Sequence, residues 1–169
     1  DDRSANELLT AIGCSISGGS VRVNTMMRAL NLVDSEMYGG YIIGTSLEPA
    51  REVAARGVPL NVVSQPAWGI GKATTAKDLA QLHRAVWLAS GGLGPLGRGS
   101  GIDPAEARYV LYLLANAQPG SKLARVTHGR PRVVVLHKAG WVYTARHDAG
   151  LLVWTAGIFV AAVMTHRSA

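Results

Sequence analysis

His137-Lys138-Ala139-Gly140-Trp141 sets a lysine at the end of a run rich in Val and Leu, and Arg146 follows eight residues later. Taken alone, Lys138 is a surface lysine closing a strand. It would matter chemically beside a nucleophile, and the chain offers none in a recognisable setting. A serine activated by lysine needs the two side chains about one helical turn apart. No serine here is followed three residues later by lysine, and Ser121 and Lys122 are adjacent, which on a helix points them apart. No G-x-S-x-G elbow occurs. His83, His128, His137, His147 and His166 are scattered without metal-type spacing and read as structural or exposed. Cys14 has no Cys or His neighbour at zinc spacing and reads as a small, semi-buried turn residue. No metal and no cofactor is expected.

The elements that must position Lys138 change character along the chain. Ser4-Ala5-Asn6-Glu7 has the form of a capping box, and Leu8, Leu9 and Ile12 make an apolar stripe ending at Gly13. After a Gly/Ser turn over 15–20, Ser20 can cap a second helix running to Leu30, with Val23, Met26, Met27 and Leu30 inward. From Asn31 to Ile70 periodicity is poor, with a short helix possible over Pro49–Arg56; a connection this long in a compact domain usually has a job. Thr75-Ala76-Lys77-Asp78 starts a helix that buries Leu79, Leu82, Val86 and Ala89, with Asp78 at its positive end. Residues 90–101 form a glycine-rich connection; it follows a helix rather than a strand, which disfavours a phosphate cradle. Asp103 caps a helix with Pro104 in its first position, reaching about Ala117. Then Arg132 to Lys138, Gly150 to Thr155 and Phe159 to Thr165 read as three strands, the last two joined by a tight turn at Ala156-Gly157. The fold class is α+β: a helical part followed by antiparallel strands.

Size and composition agree with one globular body. The chain has 169 residues, 48% of them apolar, and Lys plus Arg exceed Asp plus Glu by six. The basic excess would suit an acidic partner or carboxylate substrate. No basic run of five occurs and aromatics are only 6%, too few for base-stacking platforms, so a nucleic-acid role is not expected. The apolar stretch from Gly150 to Met164 is shorter than the roughly 20 residues of a spanning helix.

With these elements in place, the chain resembles the back portion of a class A serine β-lactamase or penicillin-binding domain. Such domains have a helical half and a sheet half, with S-x-x-K, S-D-N and K-T-G motifs lining the site between them. His137-Lys138-Ala139-Gly140-Trp141 is similar to the K-T-G strand end, with Ala139 in the threonine position. Ala145-Arg146-His147-Asp148-Ala149-Gly150 resembles the opening of the next strand. Asn6-Glu7-Leu8-Leu9 resembles the helix after S-D-N; in that register Asp1-Asp2 fall on the D-N positions, Asp2 replaces the asparagine, and the motif's serine would precede Asp1. Ser4-Ala5-Asn6 is the alternative, degenerate match.

The resemblance implies a single incomplete β-lactamase-like domain over 1–169: residues 1–120 mainly helical with an Ω-like loop at 31–72, and residues 130–166 a three-stranded antiparallel sheet. It implies Lys138 and Asp2 as catalytic residues, and Ala139, Gly140 and Arg146 as substrate-binding positions. Ala139 lacks the hydroxyl expected to bond a substrate carboxylate, an interaction worth about 1.5–3 kcal/mol when charged. Class A enzymes also carry a water-activating glutamate in an E-x-x-L-N context, which is absent here; Glu36 and Glu48 are expected to be ordinary exposed carboxylates. The implied activity is serine acyl transfer on β-lactams or D-Ala-D-Ala-type peptides, with the nucleophile on a missing segment. A catalytically degenerate cell-wall-binding or scaffold domain is the alternative. The implied location is secreted or in the cell envelope. In the family the last strand pairs with the first, so an N-terminal segment of the same precursor, a second chain or a swapped copy is expected to cover Phe159–Met164.

Overall fold

A computed structural model of the chain describes residues 2–41, 43, 72–99, 101–117 and 122–167. It divides into two compact units, residues 1–74 and 75–169. The expected helix at Pro49–Arg56, Glu48 and most of the Ω-like loop lie outside the described residues.

In the first unit, helix α1 (Asp2–Gly13) meets helix α2 (Ile16–Ala29) through glycines. A Cβ on Gly13 would stand 1.9 Å from the Gly19 amide nitrogen, and one on Gly19 would stand 2.2 Å from the Leu9 carbonyl oxygen. Only the bare backbone permits that approach. These glycines therefore serve helix packing, and the Gly/Ser turn expected over 15–20 is mostly helix. Ser15, extended at φ −163°, is the true cap, its side chain accepting from the Gly18 amide at 2.9 Å. Ser20 sits buried inside α2 and donates to the Ile16 carbonyl. Similarly α1 begins at Asp2, a carboxylate favourable at the positive helix end, so Ser4 lies within the first turn instead of capping it. The glycine contact turns Leu9 inward and leaves Leu8 and Ile12 exposed. Cys14, in the left-handed region at φ 61°, is a turn residue as expected but exposed.

Helix α2 closes in a Schellman turn. Asn31, at φ 58°, donates to Arg28, and Leu32 donates to Met27 and is buried. Strands β1 (Glu36–Met37) and β2 (Lys72–Ala73) then form a short antiparallel ladder pairing Met37 with Lys72. Two asparagines fasten the β1 region by acting as surrogate backbone. Asn24 exchanges two hydrogen bonds with the main chain of Met37, both 2.7 Å, and Asn6 does the same with Tyr41 at 2.6 and 2.9 Å.

In the second unit, Thr75 caps helix α3 (Ala76–Ser90) by accepting from the Asp78 amide. A short helix α4 (Gly94–Gly99) occupies part of the expected flexible connection. Helix α5 (Pro104–Ala115) opens with a complete capping box: Asp103 accepts from Ala105 and Glu106, and Glu106 accepts from the Asp103 amide. Helix α6 (Leu123–Thr127), which periodicity did not reveal, precedes the sheet.

Strands β3 (Val134–Trp141), β4 (Ala145–Trp154) and β5 (Gly157–His166) form an antiparallel sheet in sequence order. The first strand starts two residues later than expected because Arg132 is left-handed at φ 67°. The second starts five residues earlier: reciprocal bonds between Val142 and Ala145 close a tight hairpin that pairs Trp141 with Arg146. The last turn falls on Thr155 and Ala156, with Gly157 opening β5. Leu136, Leu151 and Val160 lie in register on one face, where Leu111, Leu114, Val86 and Trp87 from α5 and α3 close the core. The α+β class is as expected. No helix among the described residues is long and apolar enough to cross a membrane.

Candidate active site

Alternation along β3 sends His137, Ala139 and Trp141 to one face and Leu136, Lys138 and Gly140 to the other. Opposite His137 stands Gly150, where a Cβ would lie 2.3 Å from the Leu136 carbonyl oxygen and 2.6 Å from the His137 Cβ. That glycine makes room for a buried imidazole. Nδ1 of His137 lies 2.9 and 3.0 Å from the two oxygens of Asp148, which is also buried. A carboxylate only accepts, so Nδ1 carries the proton. Asp148 also accepts the amide of Leu123 at 2.9 Å, tying the first turn of α6 to β4.

That tie places Lys122, the residue before α6, over the strand end. Its ammonium lies 4.4 Å from the centre of the Trp141 ring and 3.4 Å from the Gly140 carbonyl oxygen. Desolvation lowers its pKa; Asp148 opposes that, while Arg146 and Lys138 reinforce it. Lys138 is exposed and donates to the Ala139 carbonyl, and Arg146 donates to the carbonyls of Val142 and Ala145. Three cations are thus gathered around a carbonyl-rich hairpin. An anionic group docking there would meet a positive field held in place by backbone.

Lys138, Ala139, Gly140 and Arg146 therefore share one strand end. Ala139 is buried beside Asp148, whereas Gly140 is exposed. Asp2 belongs to the first unit, exposed at the start of α1. Its carboxylate raises the pKa of Lys72, which desolvation has nonetheless lowered to about 8. Lys72 stands 3.5 Å from the centre of the Tyr41 ring and donates to the Gly40 carbonyl at 3.2 Å. The Tyr41 hydroxyl is shifted upward, by desolvation first and Asp2 second. Glu36 is not the exposed carboxylate expected: it is 2% exposed, in β1, and raises the pKa of Tyr38, where desolvation is the larger cause. Glu48 lies outside the described residues. Among the described residues, no group of three His, Cys, Asp or Glu side chains could hold a metal ion.

The His137–Asp148 pair, Lys122, Lys72 and Tyr41 escaped the sequence reading. The pair had a usable signal: once the hairpin at 142–145 is fixed, strand alternation puts both residues on one face of adjacent strands. Lys122 and Lys72 had none, since each is placed by an element too short to show periodicity.

A profile of the beta-lactamase enzyme family matches residues 1–169. No curated protein matches the sequence. Among solved structures, the chain is similar to a beta-lactamase from Sphaerobacter thermophilus DSM 20745, at 19% identity and a TM-score of 0.65, covering 98% of this chain and 49% of that one. It is also similar to PBP-A, at 20% identity and a TM-score of 0.54, covering 89% of this chain and 43% of that one. A PBP-A mutant in an acyl-enzyme complex with penicillin G matches at 19% identity and a TM-score of 0.55, covering 89% of this chain and 44% of that one. The chain thus spans about half the length of these relatives, and at such identities the likeness is one of fold.

Proposed function

The chain belongs to the beta-lactamase enzyme family, and from that premise we propose that it is the larger part of a serine acyl-transfer hydrolase acting on β-lactams or D-Ala-D-Ala-type peptides. The supporting observation is the cluster of Lys122, Lys138 and Arg146 around Gly140. Both substrate classes carry a carboxylate, and fixed cations at a strand end hold such a group beside the reacting carbonyl. The same reading carries Asp2, exposed at the start of α1, as a second catalytic residue. The nucleophilic serine and its lysine come from a polypeptide outside this chain, and the two units are parts of one incomplete domain. A secreted or envelope location accompanies this reading.

Strand β5 supports the need for that second polypeptide. It pairs only with β4 among the described residues, and it carries Ile158, Phe159 and Val163, all exposed. A ten-residue strand that is mostly apolar and lies at a sheet edge among the described residues invites another strand. An N-terminal segment of the same precursor, a second chain or a swapped copy would cover it.

The test is covalent labelling. Joined to the polypeptide that supplies the serine, the chain forms an adduct with a fluorescent penicillin, and Lys138→Ala weakens labelling. An unlabelled product overturns the acyl-transfer reading and favours the catalytically degenerate binding domain, for which the buried Ala139, with no hydroxyl to offer, is the supporting observation.

A further inference from the structure

We propose that the hairpin joining β3 and β4 docks on an anionic lipid bilayer, with Trp141, Val142 and Tyr143 entering the headgroup layer and the cations around them meeting lipid phosphates; this role is independent of the acyl-transfer reading and of any second polypeptide. After Glu106 the sequence holds eight lysines and arginines and a single carboxylate, Asp148. This stretch accounts for all of the chain's net charge of +6. Asp148 is buried, held by His137 and the Leu123 amide, so no carboxylate of the stretch faces solvent. Seven of the eight cations are exposed, and Lys122 is half-buried.

Main-chain bonds between Val142 and Ala145, at 3.0 and 3.3 Å, leave Tyr143 and Thr144 as a two-residue loop. Trp141 and Val142 are each 54% exposed, and Tyr143 is 87% exposed. Three consecutive large apolar side chains thus stand out at a turn, where Gly, Asn, Asp or Ser would be ordinary. Four cations lie around them. Arg146 pairs with Trp141 across the ladder, and the Lys122 ammonium lies 4.4 Å from the centre of the Trp141 ring. Lys138 is exposed three residues back along β3, and the amide of Arg167 donates to the Thr144 carbonyl at 2.9 Å.

A bilayer surface suits both halves of this patch. Indole and phenol rings rest at headgroup level, with their polar edges in water. Val142, set between them, reaches the acyl boundary. Lysines and arginines draw the tip toward anionic headgroups. An acidic peptide or a nucleic acid would satisfy the cations but leave Val142 in water. The apolar side chains also project from a turn instead of lining a groove, which suits insertion into a soft interface. Attachment of this kind lies in the interface plane and is reversible.

Cosedimentation of the full chain with lipid vesicles tests the docking. At about 0.1 M NaCl, phosphatidylcholine vesicles with about 30% phosphatidylglycerol should bind it about tenfold more tightly than phosphatidylcholine alone, and about 1 M NaCl should erase most of that difference. On binding, Trp141 emission should shift to the blue and be quenched by phosphatidylcholine brominated in its acyl chains, with the Trp141→Phe chain measured alongside to isolate its signal. Val142→Ser combined with Tyr143→Ser keeps every cation and the main-chain bonds of the turn. It should weaken vesicle binding by about tenfold, with circular dichroism showing the same fold. Absence of vesicle binding overturns the proposal. So does equal binding by the double variant, or an unquenched Trp141, since either reduces the contact to charge alone. Tighter binding to duplex DNA or polyglutamate than to the anionic vesicles at the same salt also overturns it, by giving the cations a different partner. None of these readouts involves a penicillin adduct, so the acyl-transfer reading stands or falls separately.

Discussion

His137 and Asp148 form a buried pair in which one imidazole N–H is shared between both carboxylate oxygens, at 2.9 and 3.0 Å. The same carboxylate receives the Leu123 amide, so one side chain joins β3, β4 and α6. Asp148→Ala strands a buried imidazole and a helix-start amide together. It is expected to destabilise the protein by about 3–5 kcal/mol, measured by urea denaturation. Asp148→Asn still offers an acceptor and should cost less. If the alanine variant loses under 1 kcal/mol, the pair is not what fastens α6.

The clamp on β1 gives a second expectation. Asn24→Ala leaves the buried amide and carbonyl of Met37 without their partner. At about 1–3 kcal/mol for each of the two stranded groups, the loss should be roughly 2–6 kcal/mol by chemical denaturation. Asn24→Asp retains the acceptor for the Met37 amide but sets a carboxylate against the Met37 carbonyl, so it should not restore stability.

What the sequence discloses depends on how local the cause is. Thr75 and Asp103 are legible caps because the cap, the acceptor and the first turn lie within four residues. The three strands are legible from their Val- and Leu-rich runs. Ser20 misleads because its neighbours Gly18 and Gly19 look like a turn, whereas their missing side chains answer to α1, and only the pair of helices shows it. Lys138 and Arg146 were singled out through their motif, and the register of β3 and β4 sets them at one strand end. Lys72 was not: its partners Tyr41, Gly40 and Asp2 are 31, 32 and 70 positions away in sequence, and its chemistry comes from that distant company.

Lys72 and Tyr41 also make stability depend on pH. The folded-state pKa of Lys72, about 8, lies below its unfolded value of 10.5, so between those values the unfolded chain binds more protons. Stability should therefore rise as pH rises from about 8 toward 10. The folded-state pKa of Tyr41 is raised above 10.0, so at higher pH the folded form binds more protons and the gain reverses. Lys72 is partly solvated, and screening reduces its contribution to about 1 kcal/mol, or some 2–4 °C in Tm. Thermal melts from pH 7 to 11 should show the rise and the turn. Lys72→Met should flatten the rise, and a melt that falls steadily from pH 8 would contradict it.

The edge of β5 yields the last expectation. Phe159 stacks on Trp154 at 4.6 Å between ring centres, yet remains about half exposed, and Val163 lies on the same face of the same strand. Exposed aromatic surface beside an unpaired strand edge favours strand addition between copies when no other polypeptide covers it. At micromolar concentrations the chain should sediment as a mixture of monomer and larger species. Phe159→Lys should shift that mixture toward monomer, because charge on an edge strand opposes pairing without touching the core on the opposite face, built from Leu136, Leu151 and Val160. Urea denaturation should then show only the loss of the Trp154 stack, about 0.5–1.5 kcal/mol. A wild-type chain that sediments as a single monomer and unfolds cooperatively would show that β5 requires no partner, and the case for a second polypeptide on this edge would fail with it.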